Sequence, residues 1–595
     1  MSNQRALPEY PRPRWPADAP HAPVRAAARG RARGTAFVGA SLVELLRFRA
    51  AVQPNECAYT FLDDGERPGG SVTYAELERR AQAIAARLQG KMRPASRVLL
   101  LYPPGLDFIS AFFGCLFANV VAVPAFPPGG GRAVSRSRSQ RLARLTAICA
   151  DAEPSAVLTM SETAGRLSLA ADLEVIASDE TLDGGAAWRD PGVGRSTVAF
   201  LQYTSGSTAT PRGVMVAHGN LLHNLAYAFH LAETDASTVS VSWLPVVHDM
   251  GLIEGVLQPL YSGCPAYLMS PAAFLQRPSR WLRAISRYRA TRSGAPNFAY
   301  DLCVRRISKA DRDTLDLSAW RAAYNGAEPV RRETLDAFAR TFAGCGFRPS
   351  SFRPSFGLAE STLLVTSDRW RPAAAAFDAP DAVSCGRPSF GTRLLIVDPT
   401  DGHTCASGET GEIWVAGPSV ARGYWNRPEE NARTFGAYAA GGQGPFLRTG
   451  DLGFIRHGEL YITGRLKDLL IVRGVKHYPQ DLERTATDQH EALIAGAAAA
   501  FAIDRGTSED RIGIAAEIEP REIDVDAAGS ALIAEIRAAV ADVHGVQLHA
   551  VLLVACGAIP RTTSGKLQRS ACAEQVNDGT LPALAEWRET YAGDR

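Results

Sequence analysis

A run of small hydroxyl residues and glycines lies directly after an apolar segment, about one third of the way along the chain. This run, residues 203–213, reads YTSGSTATPRG. Backbone N–H groups and hydroxyls in such a loop can surround a phosphate, and glycine lets the phosphate approach closely. A Walker A loop would contain GKS or GKT, which this run lacks. The run therefore predicts a phosphate site of another kind, with an ordinary surface loop as the alternative.

Lysine is rare in this chain, so each lysine that remains is worth considering as a functional residue. The 595 residues include 64 Lys and Arg together, and only five of these are Lys. Arg presents a rigid planar fork, whereas the Lys ammonium is a compact charge on a flexible stem. Lys467 lies in the segment GRLKD and Lys566 in the segment PRTTSGK. Both are candidate functional residues, with chance survival under a composition bias as the alternative.

Composition and charge exclude several classes of protein. A net charge of +2 gives no case for a nucleic-acid partner, and 46% hydrophobic residues is an ordinary globular content. The ten cysteines form no CxxC pair, which favours a reducing cytoplasm over a disulfide framework or a zinc site. The longest apolar region, residues 98–126, is interrupted by proline, glycine and aspartate, so no integral membrane segment is expected.

Short apolar runs alternate with segments of helical length along most of the chain. Val98–Tyr102 and Val120–Ala125 read as strands on either side of a helix over Leu106–Ala118. Buried runs that alternate with helices are typical of parallel sheets with helices on both faces. Because the pattern recurs as far as Tyr324, with Val214–Ala217 among the predicted strands, it indicates a large α/β assembly.

The chain divides into three predicted regions. Residues 1–35 form a basic, Pro/Arg-rich tail without an apolar pattern, which we expect to be disordered. Residues 36–466 form a large N-terminal α/β domain with several subdomains. Residues 467–595 alternate short strands and helices and form a small C-terminal α+β domain. At about 150 residues per domain, the length of the chain allows this arrangement.

The hydroxyl-rich loop resembles the phosphate-binding motif TSGSTGxPKG of the adenylate-forming superfamily. That superfamily includes acyl-CoA synthetases, luciferases, peptide-synthetase adenylation domains and fatty acyl-AMP ligases. Ala209 stands in place of the second motif glycine and Arg212 in place of the motif lysine. The resemblance implies ATP as a cofactor and a small C-terminal domain that is mobile. The loop residues that it assigns to ATP are Thr204, Ser205, Gly206, Ser207 and Thr208.

Further motifs follow in the order found in the superfamily. They are NGAEP at residues 325–329, FGLAE at residues 356–360, RTGD at residues 448–451, and the two lysine segments. The nucleotide-binding candidates that they supply are Asn325, Gly326, Ala327, Glu328, Phe356, Gly357, Asp451 and Arg465. The catalytic candidates are His248, Glu360, Arg465 and Lys566, the hinge candidate is Lys467, and the candidate Mg²⁺ ligands are Thr204 and Glu360.

The resemblance also implies a role for each of these side chains. Phe356 would stack on adenine, Asp451 would accept the ribose hydroxyls, and Lys566 would bridge the substrate carboxylate and the α-phosphate. Attack of a carboxylate on a phosphate brings two anions together. A Mg²⁺ ion held by Glu360 and the ammonium of Lys566 would offset their repulsion in the transition state.

Three stretches of the chain resemble fatty acyl-AMP ligases in particular. They are LYPPGLDF at residues 101–108, WLPVVHDMGL at residues 243–252 and GVKHYPQDLE at residues 474–483. The resemblance implies that a fatty acid is converted to acyl-AMP with release of pyrophosphate. The acyl group would then pass to the phosphopantetheine thiol of an acyl carrier protein. That carrier would act in trans and feed polyketide, peptide or lipid biosynthesis.

Three alternatives remain open at this point. Only the 25 residues Ser361–Cys385 separate Glu360 from Gly386. Acyl-AMP ligases carry an insertion at this point that opposes the use of CoA, and 25 residues are short for it. A long-chain acyl-CoA ligase is therefore the first alternative. A stand-alone amino-acid adenylation enzyme is the second alternative, because Asp249 falls near the position where such enzymes have the Asp that pairs with the substrate amine. A non-catalytic nucleotide-binding protein is the third alternative. The acyl-pocket candidates Trp243, Met250, Leu252 and Ile253 are equally compatible with ordinary core packing.

Overall fold

The computed structural model describes most of the chain. The described residues are 36–128, 135–165, 173–180, 188–204, 211–371, 383–472, 475–503, 511–519, 525–562 and 567–589. The predictions made for the tail 1–35, for Ser205, Gly206, Ser207 and Thr208, and for Lys566 lie outside these residues.

The described residues form five β-sheets with helices packed on them. In chain order the strands are β1 (Cys57–Leu62), β2 (Pro68–Thr73), β3 (Arg97–Leu101), β4 (Val121–Ala125), β5 (Ala156–Thr159), β6 (Glu174–Ala177), β7 (Val198–Tyr203), β8 (Gly213–Ala217), β9 (Ser240–Ser242), β10 (Ala266–Met269), β11 (Arg292–Ala295), β12 (Ala322–Asn325), β13 (Phe352–Gly357), β14 (Leu364–Ser367), β15 (Arg393–Val397), β16 (Gly411–Ala416), β17 (Leu447–Arg456), β18 (Glu459–Arg465), β19 (Leu470–Val472), β20 (Val475–His477), β21 (Leu493–Ala502), β22 (Ile512–Ile518), β23 (Leu548–Ala555) and β24 (Ala583–Arg588). The helices are α1 (Leu42–Val52), α2 (Tyr74–Gln89), α3 (Leu106–Phe117), α4 (Ser135–Ala152), α5 (Ser161–Ala164), α6 (His218–Leu231), α7 (Gln258–Ser262), α8 (Pro271–Gln276), α9 (Ser279–Arg287), α10 (Asn297–Arg306), α11 (Lys309–Arg312), α12 (Arg332–Thr341), α13 (Pro428–Phe435), α14 (Pro479–Thr487), α15 (Val525–His544) and α16 (Arg569–Asn577), and a π-helical segment over Met250–Leu257 leads into α7.

The first large sheet has six strands in the order β6-β5-β3-β4-β7-β8. The predicted β-α-β unit is confirmed, because β3 and β4 pair in parallel with α3 between them. Strand β8, however, pairs antiparallel with β7, so the prediction of a parallel sheet was wrong at this edge. The nine-residue connection 204–212 explains the difference, since a parallel crossover needs a dozen or more residues.

The second large sheet has eight strands in the order β14-β13-β12-β11-β9-β10-β1-β2. Its central strands run parallel, and β2 and β14 are antiparallel strands at its two edges. The loops that carry the motifs NGAEP and FGLAE follow the carboxyl ends of β12 and β13. In open α/β sheets, ligands bind at the carboxyl ends of the strands. This edge is therefore where the fold places a ligand site.

A smaller antiparallel sheet completes the N-terminal part of the chain. It has the order β15-β16-β17-β18, and the RTGD motif lies within β17. Strand β18 pairs with β17 so that Asp451 stands opposite Arg465. The pairing of β17 with β18 therefore brings two motifs that are separate in the sequence to one position.

The C-terminal part of the chain has its own sheet and core. The hairpin β19-β20 precedes a four-stranded sheet with the order β21-β22-β23-β24, in which β22 and β23 are parallel and α15 lies between them in sequence. Its apolar cluster includes Leu482, Ile514, Ile536 and Leu553, all of them almost fully buried. A large α/β part followed by a small α+β part confirms the predicted fold class. Within the described residues, no helix has the length and apolarity needed to cross a membrane.

A buried ion cluster joins the start of the C-terminal part to its last helix. Arg569 donates from Nε and Nη2 to the two carboxylate oxygens of Glu483, over 2.6 and 2.8 Å, and from Nη1 to Asp468 over 3.1 Å. Glu483 is 2% exposed, and its Oε1 also accepts from the N–H of Ala500 at 3.0 Å. The guanidinium of Arg569 therefore links α16 to α14 and to the turn that follows β18, and through Glu483 it is also linked to β21.

We predict that Arg569→Ala weakens the C-terminal sheet. Removing one member of a buried ion pair leaves its partner uncompensated and commonly costs about 3–5 kcal/mol. Hydrogen exchange of the full chain, followed by mass spectrometry, should show faster exchange for the amides of β21 and β22. Glu586→Ala is the matched control, because it removes an ion pair whose side chains are 52% and 42% exposed. Equal protection in the two variants would contradict a structural role for the cluster.

Candidate active site

A cavity of about 1250 Å³ opens at the carboxyl edge of the second sheet. Its walls come from both large sheets, the RTGD strand and the C-terminal part of the chain. The candidate residues that line it are Thr204, His248, Gly326, Ala327, Glu328, Phe356, Gly357, Glu360, Asp451, Arg465 and Lys467. Motifs spread over more than 260 residues of sequence are therefore collected around one space.

The two ends of the phosphate-loop segment are held together at the cavity wall. The N–H of Thr204 donates to the carbonyl oxygen of Arg212 at 3.3 Å, which continues the pairing of β7 with β8. The carbonyl of Thr204 in turn accepts from Nη2 of Arg144 at 2.9 Å. The segment between Thr204 and Arg212 thus leaves and re-enters the sheet beside the cavity.

Arg212, which stands where the superfamily motif has lysine, is bound to other side chains. Its guanidinium forms an ion pair with Glu430 and lies 5.0 Å above the ring of Tyr424. Tyr424 donates from its hydroxyl to Oε1 of Glu360 at 2.8 Å. Burial, together with the negative charge of Glu360, raises the pKa of Tyr424, so the phenol stays protonated and donates this bond.

Glu360 stands on a short turn of fixed geometry directly after β13. The turn is a 3₁₀ segment, Ala359–Ser361, and its C-terminal neighbour Thr362 has a positive φ of 69°. The buried hydroxyl of Thr362 donates to the carbonyl of Ser419 at 2.6 Å, and the N–H of Ala421 donates to the carbonyl of Glu360 at 2.8 Å. The Glu360 carboxylate is therefore presented to the cavity from an anchored backbone.

Four residues of the NGAEP loop, Gly326 to Pro329, line the cavity, and Asn325 lies behind the wall. Asn325 is fully buried, and its amide donates to Oδ1 of Asn297 at 3.1 Å. Ala327 adopts a positive φ of 67°, which turns the loop back toward α10. Glu328 accepts from the N–H of Phe298 at 2.7 Å, and burial raises the pKa of its carboxyl. Asn325 thus positions the loop, while its neighbours line the cavity.

Phe356 and Gly357 form the wall between the cavity and an apolar cluster. The ring of Phe356 is only 7% exposed and packs with Val365, Ile413 and Leu447. A Cβ added at Gly357 would lie 1.9 Å from the carbonyl oxygen of Leu363, so only glycine fits there. A role of Phe356 in stacking on adenine stays a prediction, since most of its surface contacts the protein.

Asp451 and Arg465 form an ion pair across β17 and β18. Nε of Arg465 lies 3.1 Å from Oδ1 of Asp451, and the N–H of Asp451 donates to the hydroxyl of Thr449 at 3.1 Å. Asp451 is the more buried partner, with 13% of its side chain exposed against 44% for Arg465. Both side chains line the cavity, where a carboxylate can accept hydroxyl groups of a ligand.

Glu412, which the sequence did not single out, holds the RTGD loop. The side chain is 2% exposed, and its Oε2 accepts from Nε and Nη2 of Arg448 at 3.0 and 2.8 Å. It also accepts from the indole of Trp414 at 3.0 Å and from the N–H of Gly450 at 3.1 Å. No motif marks Glu412; its only signal was a charged residue inside an otherwise apolar strand.

The C-terminal part contributes the cavity rim near the two candidate lysines. Lys467 lies on a 3₁₀ turn, and partial desolvation at the rim lowers the pKa of its ammonium, with Arg465 adding to the effect. Arg561 and Leu567 form a bridge that closes the base of the loop containing Lys566, and Arg561 lines the cavity. The position of Lys566 itself lies outside the described residues.

The side of the cavity away from the motifs is largely apolar. Trp243 stacks on Phe274 with ring centroids 4.0 Å apart, and Met250 and Ile253 stand on the adjoining π-helical segment. His248 contacts Phe126 edge to face at 5.6 Å and borders both regions. Of the four acyl-pocket candidates, Trp243, Met250 and Ile253 line the cavity, whereas Leu252 packs in the core.

No cluster of three or more His, Cys, Asp or Glu suited to a metal ion occurs among the described residues. The donor set at the cavity fits a different arrangement, in which one carboxylate, Glu360, shares an ion with oxygen atoms of a ligand. Mg²⁺ is commonly bound in this way, through one or two carboxylates together with substrate phosphates. All ten cysteines are free thiols.

The two-part α/β architecture and a cavity at the carboxyl edge, with Glu360, Asp451 and Arg465 on its wall, define an adenylate-forming enzyme. Comparison with known proteins identifies the family. Residues 46–425 match the family described as AMP-binding enzyme, and residues 467–586 match the AMP domain described as Disco-interacting protein 2-like. The chain belongs to the AMP-binding enzyme family.

Similar proteins include named fatty-acid ligases. The chain is 44% identical to the medium-chain-fatty-acid–[acyl-carrier-protein] ligase JamA of Moorena producens, over 91% of this chain and 96% of that protein. It is 37% identical to the long-chain-fatty-acid–AMP ligase FadD32 of Mycolicibacterium smegmatis, over 92% and 95%. The fatty acyl-adenylate ligase of L. pneumophila, solved with acyl adenylate and pyrophosphate, is 40% identical with a TM-score of 0.69, over 92% and 98%.

We predict that Glu412→Gln raises the KM for ATP about tenfold to a hundredfold and changes kcat less. The amide removes the charge that four donors share, and a charged hydrogen bond contributes about 1.5–3 kcal/mol. Initial rates of pyrophosphate release at varied ATP would measure the change. Glu409→Gln, which alters an exposed carboxylate in the loop before β16, is the matched control. An equal drop in kcat at unchanged KM would show that Glu412 does not act through nucleotide binding.

Proposed function

We propose that this protein activates a fatty acid with ATP to form acyl-AMP and pyrophosphate, and then transfers the acyl group to an acyl carrier protein. One observation carries the proposal: residues of the adenylate-forming motifs and an apolar region share a single cavity. The names of the similar fatty-acid ligases support the same substrate class and the same carrier.

The nucleotide would lie along the motif side of the cavity. The hydroxyls and N–H groups from Thr204 to Thr208 would receive the phosphates, and the NGAEP loop with Phe356 would border the adenine. Asp451 would accept the ribose hydroxyls, oriented by its ion pair with Arg465. The buried Glu412, which fixes the Arg448–Asp451 segment, would keep that carboxylate in place.

The chemical step joins two anions, and the chain supplies charge to offset their repulsion. An oxygen of the fatty-acid carboxylate attacks the α-phosphorus, the bond to the β-phosphate oxygen breaks, and pyrophosphate leaves. Lys566 would contact both the carboxylate and the α-phosphate as charge develops between them. His248, on the border of the apolar region, would orient the carboxylate. Preorganised charge of this kind commonly lowers barriers by several kcal/mol.

Mg²⁺ is the second cofactor that we propose, with Glu360 as its carboxylate ligand and Thr204 as a hydroxyl ligand near the phosphates. When bound, the ion neutralises charge on the phosphate oxygens. Tyr424 positions Glu360 for this role, because its hydroxyl occupies Oε1 from the protein side. Arg212 stands beside the same pair, so the positive charge of the motif position is retained near the phosphates.

Residues 36–466 would form the large domain, and residues 467–595 would form a lid. The lid would rotate about Lys467 between adenylation and acyl transfer. Support comes from the rim, where β18 ends at Arg465, Lys467 lies on the 3₁₀ turn that follows, and Asp468 accepts from Arg569 of the last helix. A pivot at this point would move the Lys566 loop as one body with the C-terminal sheet. A cytoplasmic location, suggested by the cysteine pattern, remains a prediction.

The function is tested by following both half-reactions. With Mg·ATP and saturated fatty acids of increasing length, the protein should release pyrophosphate and form acyl-AMP. A phosphopantetheinylated carrier protein should then receive the acyl group at least about tenfold faster than CoA does. Acyl-CoA formed as fast as acyl-carrier would support a CoA ligase instead. Activation of amino acids alone would support an amino-acid adenylation enzyme, and no adenylate from any acid would support a binding protein.

We predict that Lys566→Arg lowers the rate of acyl-AMP formation about 10²- to 10³-fold. The rigid guanidinium cannot reach the same two oxygens as the compact ammonium. ATP binding, measured by calorimetry, should persist, because the phosphate loop is untouched. Lys309→Arg is the control, since that lysine lies on the short helix α11 and is not itself a cavity-lining residue. Rates equal to those of the unaltered protein in Lys566→Arg would remove Lys566 from the mechanism.

A further inference from the structure

The apolar region of the cavity contains a buried ion pair that the adenylation step does not use. Arg292, on β11, donates from Nη2 to Oε1 of Glu254, on the π-helical segment, at 3.2 Å. The two side chains are 2% and 7% exposed. Both line the cavity, together with Gln258 and Tyr324. Buried charges inside an acyl pocket are costly, so their presence calls for a physical reason.

These four side chains carry five buried polar atoms without a hydrogen-bond partner in the part of the chain that the structure describes. The donors are Nε and Nη1 of Arg292, the acceptors are Oε2 of Glu254 and Oε1 of Gln258, and the hydroxyl of Tyr324 can act as either. Most buried polar atoms in proteins have a partner, and a group of exceptions on one wall needs an explanation. The wall is therefore built to bind something polar.

The polar group lies away from the reacting carboxylate. Arg292 is the first residue of β11, three residues before the strand ends at Ala295 on the nucleotide side of the sheet. At about 3.3 Å per residue, this places Arg292 about 10 Å below that edge. Met250, Glu254 and Gln258 follow one another at intervals of four along the helical wall, and their exposure falls in that order. Apolar side chains thus line the entrance of the acyl pocket, and polar side chains line its inner end.

The charges of the pair restrict what can bind there. A second carboxylate would be repelled by Glu254, and an ammonium group would be repelled by Arg292. A hydroxyl is neutral and can accept from Arg292 while it donates to Glu254 or Gln258. A carbonyl could only accept, which would leave the acceptors of Glu254 and Gln258 without a donor.

From this arrangement we infer that the acyl pocket selects fatty acids with a hydroxyl group on the distal part of the chain, which accepts from Arg292 and donates to Glu254 or Gln258, with the hydroxyl of Tyr324 beside them. The inference rests on the proposed function and specifies its substrate. A site built to bind a hydroxyl discriminates against a substrate that lacks it, because the polar groups of the protein then stay unpaired. Plain fatty acids would be activated, but less efficiently.

The experiment compares kcat/KM for pyrophosphate release between ω-hydroxy acids and plain acids of equal length. Octanoic, decanoic and dodecanoic acids and their ω-hydroxy forms are the probes, with β-hydroxydecanoic acid to test position. The unaltered protein should prefer one ω-hydroxy acid about tenfold to a hundredfold, as expected for one hydrogen bond to a charged group. The β-hydroxy acid should show no such preference. Equal efficiency for hydroxylated and plain acids at every length would overturn the inference.

The double variant Arg292→Met with Glu254→Met assigns the preference to the ion pair. Replacing both partners by apolar groups of similar volume avoids an unpaired buried charge and is often neutral for stability. The ratio of kcat/KM for the ω-hydroxy acid to kcat/KM for the plain acid should fall to about one, and kcat/KM for plain acids should stay the same or rise. The matched control is Arg369→Met with Glu233→Met, the same two substitutions in an ion pair whose side chains are 46% and 65% exposed and do not line the cavity, and it should leave the ratio unchanged. A preference that survives in the double variant would overturn the inference.

A milder variant keeps the test decisive if the double variant does not fold. Tyr324→Phe removes only the hydroxyl and keeps the ring that lies 5.5 Å from the Arg292 guanidinium. It should lower the ω-hydroxy preference at least about threefold, and an unchanged ratio would overturn the inference. Failure of the proposed function would look different, because then no acid, plain or hydroxylated, would yield pyrophosphate.

Discussion

The hydrogen bond from Tyr424 to Glu360 joins the two large sheets, and the geometry of the cavity depends on it. Tyr424 pairs through its backbone with Val214 on β8 of the first sheet, whereas Glu360 follows β13 of the second. The same bond orients the Glu360 carboxylate toward the cavity. Arg212 adds positive charge on the other face of the ring. The contact that links the two sheets and the proposed site for phosphate charge therefore share the same side chains.

How far the sequence predicts this protein depends on how local each signal is. The β-α-β unit around α3 and the motif loops after β12 and β13 were predictable, because strand, turn and helix follow one another directly. Glu412 and Arg569 were not, because their partners lie 36 and 86 residues away in the sequence. The direction of β8 was missed although the connection 204–212 was readable; its length alone excludes a parallel crossover.

The scarcity of lysine acquires a physical meaning at the site. Arg212 replaces a motif lysine and is accommodated by partners suited to a planar cation, the carboxylate of Glu430 and the face of Tyr424. Lys467, in contrast, lies on a 3₁₀ turn beside Arg465, where desolvation and the charge of Arg465 lower the pKa of its ammonium. The charge of Arg212 is thus held by two partners, whereas the charge of Lys467 lies at a partly desolvated rim.

Two buried ion systems, Arg569 with Glu483 and Asp468, and Arg292 with Glu254, differ in how fully their charges are compensated. Arg569 satisfies Glu483 and Asp468 with three hydrogen bonds, so its charge is compensated within the protein and fixes one part of the chain as a unit. Arg292 and Glu254 make one bond between them, and on these cavity-lining residues further donors and acceptors have no partner in the part of the chain that the structure describes. Desolvation of the charges opposes both arrangements. Only in the first do hydrogen bonds within the protein offset that free-energy cost. The second is balanced when a ligand supplies the missing partners, which is why an incomplete buried pair indicates specificity whereas a complete one indicates structure.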